Sequence, residues 1–301
     1  MRSLNFIQTS VFTDDRYSFS GNQLATFWNL SEDDVSKEEM QGITREMNFS
    51  ETTFVFPSTI ENCVRKVRIF TPGREIPFAG HPTLGTAFVL KNKGIIDPNV
   101  SESYLELGIG PTKVKFQKDN QIQMYQQTPL FLEEFQDKKA IAEVLGISPQ
   151  LISNKWPMQF VSTGFPFLIT PLISLAAIRA IQLNVNALLE TLKEYSSQEI
   201  VVLTPETIHP NSHTHVRMFA PSAGVFEDPA TGSAAGPIGA YLEENQVLNN
   251  RTIGSEIVLE QGYEIHRPSR LVVRCLYKND TISRVVVGGQ VKLIAQGNFF
   301  L

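Results

Sequence analysis

HPTLGTAFVLKNKG, residues 81–94, and GSAAGPIGAYLEEN, residues 232–245, decide the fold of this chain. Each is short, rich in small residues and apolar on every side at helical spacing. A helix apolar around its whole circumference belongs inside a protein, not on its surface. Pro82 suits a first helical position, and Gly94 suits the residue just past an end. Both segments are therefore read as buried helices wrapped by strands. Strand candidates are plentiful: LNFIQTSVF, TTFVFPS, VRKVRIF, KVKFQ, EIVVLTP, HVRMFAP, SEIVLEQG, RLVVRCLY and SRVVVGGQVKLIA alternate or are β-branched over short runs. Amphipathic helices are predicted at 34–48, 138–146, 173–182 and 186–195, and LISNKWPMQF (151–160) reads as a junction leading into a second lobe.

Working outward from the two helices exposes a repeat. Arg68-Ile69-Phe70-Thr71-Pro72 recurs as Arg217-Met218-Phe219-Ala220-Pro221, an offset of 149 residues. Ala79-Gly80-His81 then aligns with Thr231-Gly232-Ser233 at an offset of 152. The order strand, proline, loop, glycine, buried helix thus occurs twice, which predicts two similar lobes with a cleft between them. The first lobe is expected over 1–120, with a segment from about 291 to 301 crossing back to it, and the second over 121–290.

Length and composition agree. A chain of 301 residues exceeds what one core usually supports, near ~250–300 residues. Charged residues make up 19% and hydrophobic residues 42%, a globular balance. With Lys+Arg 26 against Asp+Glu 31, the net charge of −5 lacks the basic footprint of a nucleic-acid partner and the polybasic stretch of a membrane binder. The opening MRSLNFIQTSVFTDD has no apolar core of a signal peptide, and no run approaches the ~20 apolar residues of a span. Cys63 and Cys275 form no disulfide framework or CxxC motif and read as buried thiols. A soluble, reducing, cytoplasmic setting is expected.

Both glycine loops lead straight into a helix start, where first-turn N–H groups lack intrahelical partners and the dipole adds partial positive charge. Gly80 and Gly232 would let backbone donors approach a ligand, and two such starts would clamp a small carboxylate. Either could instead be an ordinary capped helix end. His81 falls at the first start, and Glu227 and Asp228 precede the second. Glu51 lies between Phe49 and Phe54 at the mouth of a strand. A carboxyl in apolar company has its pKa raised by desolvation, which suits it to exchange protons near neutrality. Read alone, Glu51 is more simply a solvated strand-end acid or part of a Ser50-type helix cap, and His81 a structural histidine. The His213-x-His215 pair would put both rings on one strand face, yet no nearby residue supplies a third ligand, so no metal is predicted. Walker A, G-x-G-x-x-G, H-E-x-x-H and G-x-S-x-G patterns are all missing.

Gly21-Asn22-Gln23, Ser50-Glu51-Thr52, Arg74-Glu75-Ile76-Pro77-Phe78-Ala79-Gly80-His81-Pro82-Thr83 and Glu227-Asp228-Pro229-Ala230-Thr231-Gly232-Ser233-Ala234 together resemble the phenazine-biosynthesis PhzF-like isomerases. So do Gln261-Gly262, Arg267-Pro268-Ser269 and Val287-Gly288-Gly289-Gln290, and the likeness runs from about residue 5 to the C-terminus. The resemblance implies an α+β fold of the diaminopimelate-epimerase type: two pseudo-symmetric lobes, each a β-barrel-like sheet around a central buried helix. It implies proton transfer on a small cyclic or unsaturated carboxylate with no cofactor, and a homodimer. Glu51 matches the family's general acid/base. His81, Asp228 and Ser233 match polar residues of its substrate site, Gly80 and Gly232 the backbone beside them, and Asn22 a motif near the same cleft.

Epimerases of this fold use two cysteines, each just before the helix-start glycine. Ala79 and Thr231 stand there in this chain. Inverting a stereocentre needs bases on both faces, whereas moving a double bond can use one carboxyl on one face. Isomerisation is therefore expected over two alternatives: an amino-acid or hydroxy-acid epimerase, and a catalytically silent carboxylate binder.

Overall fold

The computed structural model describes residues 2–31, 33–249 and 251–301. Two units divide the chain. The first holds the chain up to Tyr125 with Ala223–Val225 and Gly288–Leu301, and the second holds Gln126–Ser222 and Phe226–Val287.

The first unit carries strands β1 (Ser3–Thr13), β2 (Asn22–Phe27), β3 (Glu51–Pro57), β4 (Arg65–Phe70), a two-residue β5 (Glu75–Ile76), β6 (Glu102–Leu107), β7 (Gly110–Phe116) and β8 (Gln121–Gln126), with helices α1 (Lys37–Met47) and α2 (Gly80–Asn92). The second carries β9 (Leu130–Phe135), α3 (Lys138–Leu145), β10 (Met158–Ser162), β11 (Pro166–Pro171), α4 (Leu175–Arg179), α5 (Val185–Leu192), β12 (Ile200–Thr204), β13 (Thr214–Phe219), α6 (Gly232–Glu244), β14 (Ile257–Gln261) and β15 (Ser269–Lys278). A final strand, β16 (Thr281–Phe300), starts in the second unit and ends in the first.

In the first unit the strand order is β1-β2-β3-β4-β6-β7-β8-β16, and β16 pairs back onto β1, so eight strands close into a barrel. In the second unit the order is β16-β15-β14-β13-β12-β11-β10-β9. The two glycine-rich segments are the 13-residue helices α2 and α6, each buried around its circumference. α2 packs against β1, β2 and β3; α6 packs against β10, β11 and β15. Burial of an all-apolar helix by the sheet of its own unit is what the composition required.

Outside the first barrel, α1 begins on a capping box, with the Ser36 hydroxyl accepting from the Glu39 N–H and the Glu39 carboxylate accepting from the Ser36 N–H. Its Met40 and Ile43 pack on Phe27, Phe54 and Phe70. Phe27 stacks on Phe54 at 5.1 Å, and Phe54 meets Phe70 edge-on at 5.5 Å, both favoured aromatic geometries. In the second unit α3, α4 and α5 cover Phe160, Val202 and Phe219.

The repeat reaches beyond sequence. Arg68 on β4 donates Nε to Glu75 Oε1 (2.7 Å) and Nη2 to Glu75 Oε2 (2.8 Å). Arg217 on β13 donates the same pair of atoms to Glu227 (2.9 and 2.7 Å). Each guanidinium also lies over the phenylalanine two residues on, Phe70 at 5.3 Å and Phe219 at 5.0 Å. Both units thus build Glu-x-Pro-x-x-Gly, from Glu75 to Gly80 and from Glu227 to Gly232, as a bidentate strut into a buried helix.

Two sequence expectations are corrected. The 151–160 segment is no junction: it lies inside the second unit and its end becomes β10. His213 and His215 do not act as a pair. His213 Nδ1 accepts the Val258 N–H at 2.9 Å ahead of β13, whereas His215 lies fully buried between the carboxylates of Glu260 and Glu264. Among the described residues no helix is long and apolar enough to cross a membrane.

Candidate active site

Three element starts converge in the first unit. β2 and β3 run parallel with Leu24 opposite Glu51, so their first residues, Asn22 and Glu51, lie at the same end of the barrel. α2 begins there too, with His81 as its second residue. Gly21 makes the entry to β2 possible: its φ is +77°, and a Cβ there would sit 2.6 Å from the Val11 carbonyl oxygen.

His81 is 2% exposed, and burial pushes its pKa down to about 3 against the opposing pull of the Gln23 carbonyl. It is neutral at physiological pH. The partners define the tautomer: Nε2–H donates to Gln23 O (3.3 Å), and Nδ1 accepts from the Asn22 side-chain amide (3.2 Å). Glu51 Oε2 lies 3.5 Å from that same Nδ1, and the Glu51 side chain is 14% exposed. Glu51 is thus held within the protein, against a neutral base whose orientation is fixed from two sides. No side chain caps α2: its N-cap is Ala79, and the first-turn N–H groups and dipole remain available to an anion.

The second unit repeats the uncapped start. The N-cap of α6 is Thr231, which makes no side-chain capping bond. Its hydroxyl instead donates to Asp228 Oδ2 at 2.5 Å. Asp228 is 6% exposed, and its N–H bonds Met218 O on β13. Gly232 is buried and Ser233 is half-buried in the first turn. The structure therefore brings Asn22, Glu51, His81 and Gly80 together in one unit, and Asp228, Gly232 and Ser233 in the other. Glu227, singled out in the sequence as an ionisable group near the second start, belongs to the Arg217 strut. Gln261, quoted in the sequence only as part of the Gln261-Gly262 likeness and given no site role, bonds the Asp228 carbonyl and the Thr231 hydroxyl through its side-chain amide. Among the described residues no cluster of three or more His, Cys, Asp or Glu side chains could hold a metal ion.

The chain matches the family described as phenazine biosynthesis-like protein over residues 9–297. It belongs to that family. A trans-2,3-dihydro-3-hydroxyanthranilate isomerase from Pseudomonas aeruginosa is 33% identical, over 93% of this chain and 94% of the relative. The crystal structure of the Bacillus anthracis PhzF-family phenazine biosynthesis protein superposes with a TM-score of 0.88 at 27% identity, covering 100% of both chains. A probable proline racemase from Agrobacterium radiobacter shares the fold at a TM-score of 0.68 with 8% identity, over 99% of this chain and 93% of that one. The PhzF-like reading of the sequence and the diaminopimelate-epimerase-type fold both hold. This PhzF-like protein is an enzyme of the isomerase class.

Proposed function

We propose that this isomerase moves a proton within a small cyclic or unsaturated carboxylate, without a cofactor, and that Glu51 is its general acid/base. The observation that carries the reading is the contact of Glu51 Oε2 with Nδ1 of neutral His81 at 3.5 Å. A carboxyl kept largely from water can take a proton from one carbon and return it to another. His81, neutral and pinned by Asn22 and the Gln23 carbonyl, stands beside that carboxyl and adds no competing positive charge. The uncapped N–H groups at Gly80, in the unit that holds Glu51, suit a substrate carboxylate and the charge that develops as the proton leaves, and those at Gly232 offer the same donors in their own unit. Asp228 and Ser233 complete the assignment as substrate contacts. One base is favoured over two because Ala79 carries no proton and the Thr231 hydroxyl is committed to Asp228.

The test uses trans-2,3-dihydro-3-hydroxyanthranilate, the compound named for the Pseudomonas aeruginosa relative, in D2O. Glu51→Gln keeps the shape and removes the base, and kcat should fall by about 10²–10⁴-fold with loss of deuterium incorporation. Survival of both turnover and incorporation in that variant would refute Glu51 as the base. The homodimer implied by the resemblance is checked by sedimentation equilibrium of the full chain.

A further inference from the structure

α6 starts without a side-chain cap, so something else must hold the segment from Asp228 to Thr231. The structure assigns that task to Gln261. This buried side chain, 1% exposed, closes β14. Its Nε2 donates to the Asp228 carbonyl (2.7 Å) and to Thr231 Oγ1 (3.0 Å), while Oε1 accepts the Thr231 N–H (3.1 Å). One amide therefore grips the backbone on both sides of Pro229. It also sets a direction. Because Thr231 Oγ1 accepts from Gln261, the hydroxyl hydrogen is turned toward Asp228 Oδ2, 2.5 Å away. The relay Gln261, Thr231, Asp228 thus delivers a hydroxyl of set direction to Oδ2 of the carboxylate.

Two independent features show that Gln261 is itself held rigidly. Gly262 has φ +82°, and a Cβ there would lie 2.6 Å from Pro229 O and 2.4 Å from Arg267 O, so the strand end presses directly on the same loop. On either side of Gln261 in sequence, Glu260 and Glu264 are both bonded to His215, at 2.8 and 3.0 Å. That clamp ties down both arms of the turn, while Glu260 also accepts the Ile208 and His209 N–H groups. A structural cap would have consumed first-turn N–H groups of α6. Gln261 bonds only the N-cap residue and the loop before it, which leaves the helix start available to ligand.

Gln261 is thus a positioning residue for the reaction: it aims Asp228 and the first turn of α6 without touching substrate. The inference rests on the proposed role of Asp228, and its test separates the two. Full-length wild type, Gln261→Glu, Thr231→Val and Thr231→Ser are compared by amide hydrogen exchange and by turnover of trans-2,3-dihydro-3-hydroxyanthranilate. Gln261→Glu keeps volume and one acceptor but loses the donated pair; Thr231→Val deletes only the relay hydroxyl and serves if the first variant does not fold. Both should speed exchange over residues 228–235 by about tenfold or more and lower kcat by about 10–100-fold, with KM moved less than about threefold. Thr231→Ser, which retains the hydroxyl, should recover most of kcat. Unchanged exchange over 228–235 overturns the inference, as does faster exchange with wild-type kcat. If wild type itself leaves the probe unchanged, the functional reading fails for that substrate, and the exchange arm alone decides whether Gln261 holds the loop.

Discussion

The duplicated arginine–glutamate strut offers a controlled experiment inside one chain, because its two copies share geometry and differ in burial. Arg217 and Glu227 side chains are 9% and 4% exposed; Arg68 and Glu75 are 21% and 27% exposed. Glu227→Gln keeps size and leaves the Arg217 guanidinium inside the second unit, where Nη1 still donates to Ile178 O at 3.0 Å. Removing one partner of a buried pair costs about 3–5 kcal/mol, since the remaining charge stays desolvated. Glu75→Gln leaves Arg68 with more access to water. The lost carboxylate was held below its usual pKa by the Arg68 hydrogen bonds, and Lys37 lies 3.4 Å away. A cost of about 1 kcal/mol is expected there, near the top of the range for accessible pairs. The predicted difference is thus about 2–4 kcal/mol, roughly two decades in the opening equilibrium that governs amide exchange. Exchange measured on β13 and β4 peptides lets each unit report its own stability, with urea unfolding as the global check. The double variant Arg217→Met with Glu227→Leu should return to within about 2 kcal/mol of wild type, because no charge is left buried. Equal losses from Glu227→Gln and Glu75→Gln would refute the reasoning, since burial would then not set what the strut contributes.

His215 supplies a pH dependence. Burial alone would lower its pKa, but the hydrogen bonds it donates to Glu260 and Glu264 outweigh that and raise it above 6.5. Both carboxylates shift below 4.5: desolvation opposes this, and the bonds from His215 prevail. The cluster's contribution is complete between about 4.5 and 6.5, falls as pH rises through the raised His215 value, and falls on the acid side as the carboxylates protonate. The Tm gap between wild type and His215→Gln should therefore be widest near pH 6 and shrink toward pH 9; a gap that stays constant would contradict it. Helix glycines give a second contrast. Gly42→Ala in α1 meets nothing within 4 Å and should stabilise by about 1 kcal/mol, whereas a Cβ at Gly85 in α2 would lie 2.5 Å from buried Leu24 and 2.9 Å from buried Val11 and should destabilise by about 1–2 kcal/mol net in the same urea titration.

The buried helices were legible because an apolar helix has one place to go, and the repeat because strand, loop and helix are fixed by local residues. Strands such as β2, β8 and β11 were not anticipated. NQLATF carries an amide at its start and an interior alanine, so neither alternation nor β-branching marks it; its parallel pairing with β3 makes it a strand. Glu51 and His81 were visible as ionisable residues at element starts, but not their meeting, which depends on how α2 packs against β2 and β3. Glu227 misled because an acid beside a candidate site looks functional until its partner is known. The signal was present: Glu75 stands in the same place relative to Gly80 as Glu227 does to Gly232, and a residue duplicated with the scaffold is more simply part of the scaffold. Gln261 stood out only within the Gln261-Gly262 likeness, and its role was hidden because its partners come from a loop some thirty residues away.

What the two units do not share is more informative about chemistry than what they do. The frames superimpose in sequence as Glu-Ile-Pro-Phe-Ala-Gly-His and Glu-Asp-Pro-Ala-Thr-Gly-Ser, so Asp228 stands where the first unit has Ile76 and Ser233 where it has His81. Even the backbone agrees: Ile76 pairs with Ile69 on β4, and the Asp228 N–H bonds Met218 on β13. Onto one scaffold, then, the chain has set two different ionisable arrangements. In the first unit the Glu51 carboxyl faces the neutral imidazole of His81. In the second, the Asp228 carboxyl accepts from a hydroxyl whose direction Gln261 dictates. Two equivalent bases would serve inversion of a stereocentre. The two copies of the scaffold carry unlike residues, Ile76 and His81 in one and Asp228 and Ser233 in the other, so the repeat itself does not supply such a pair.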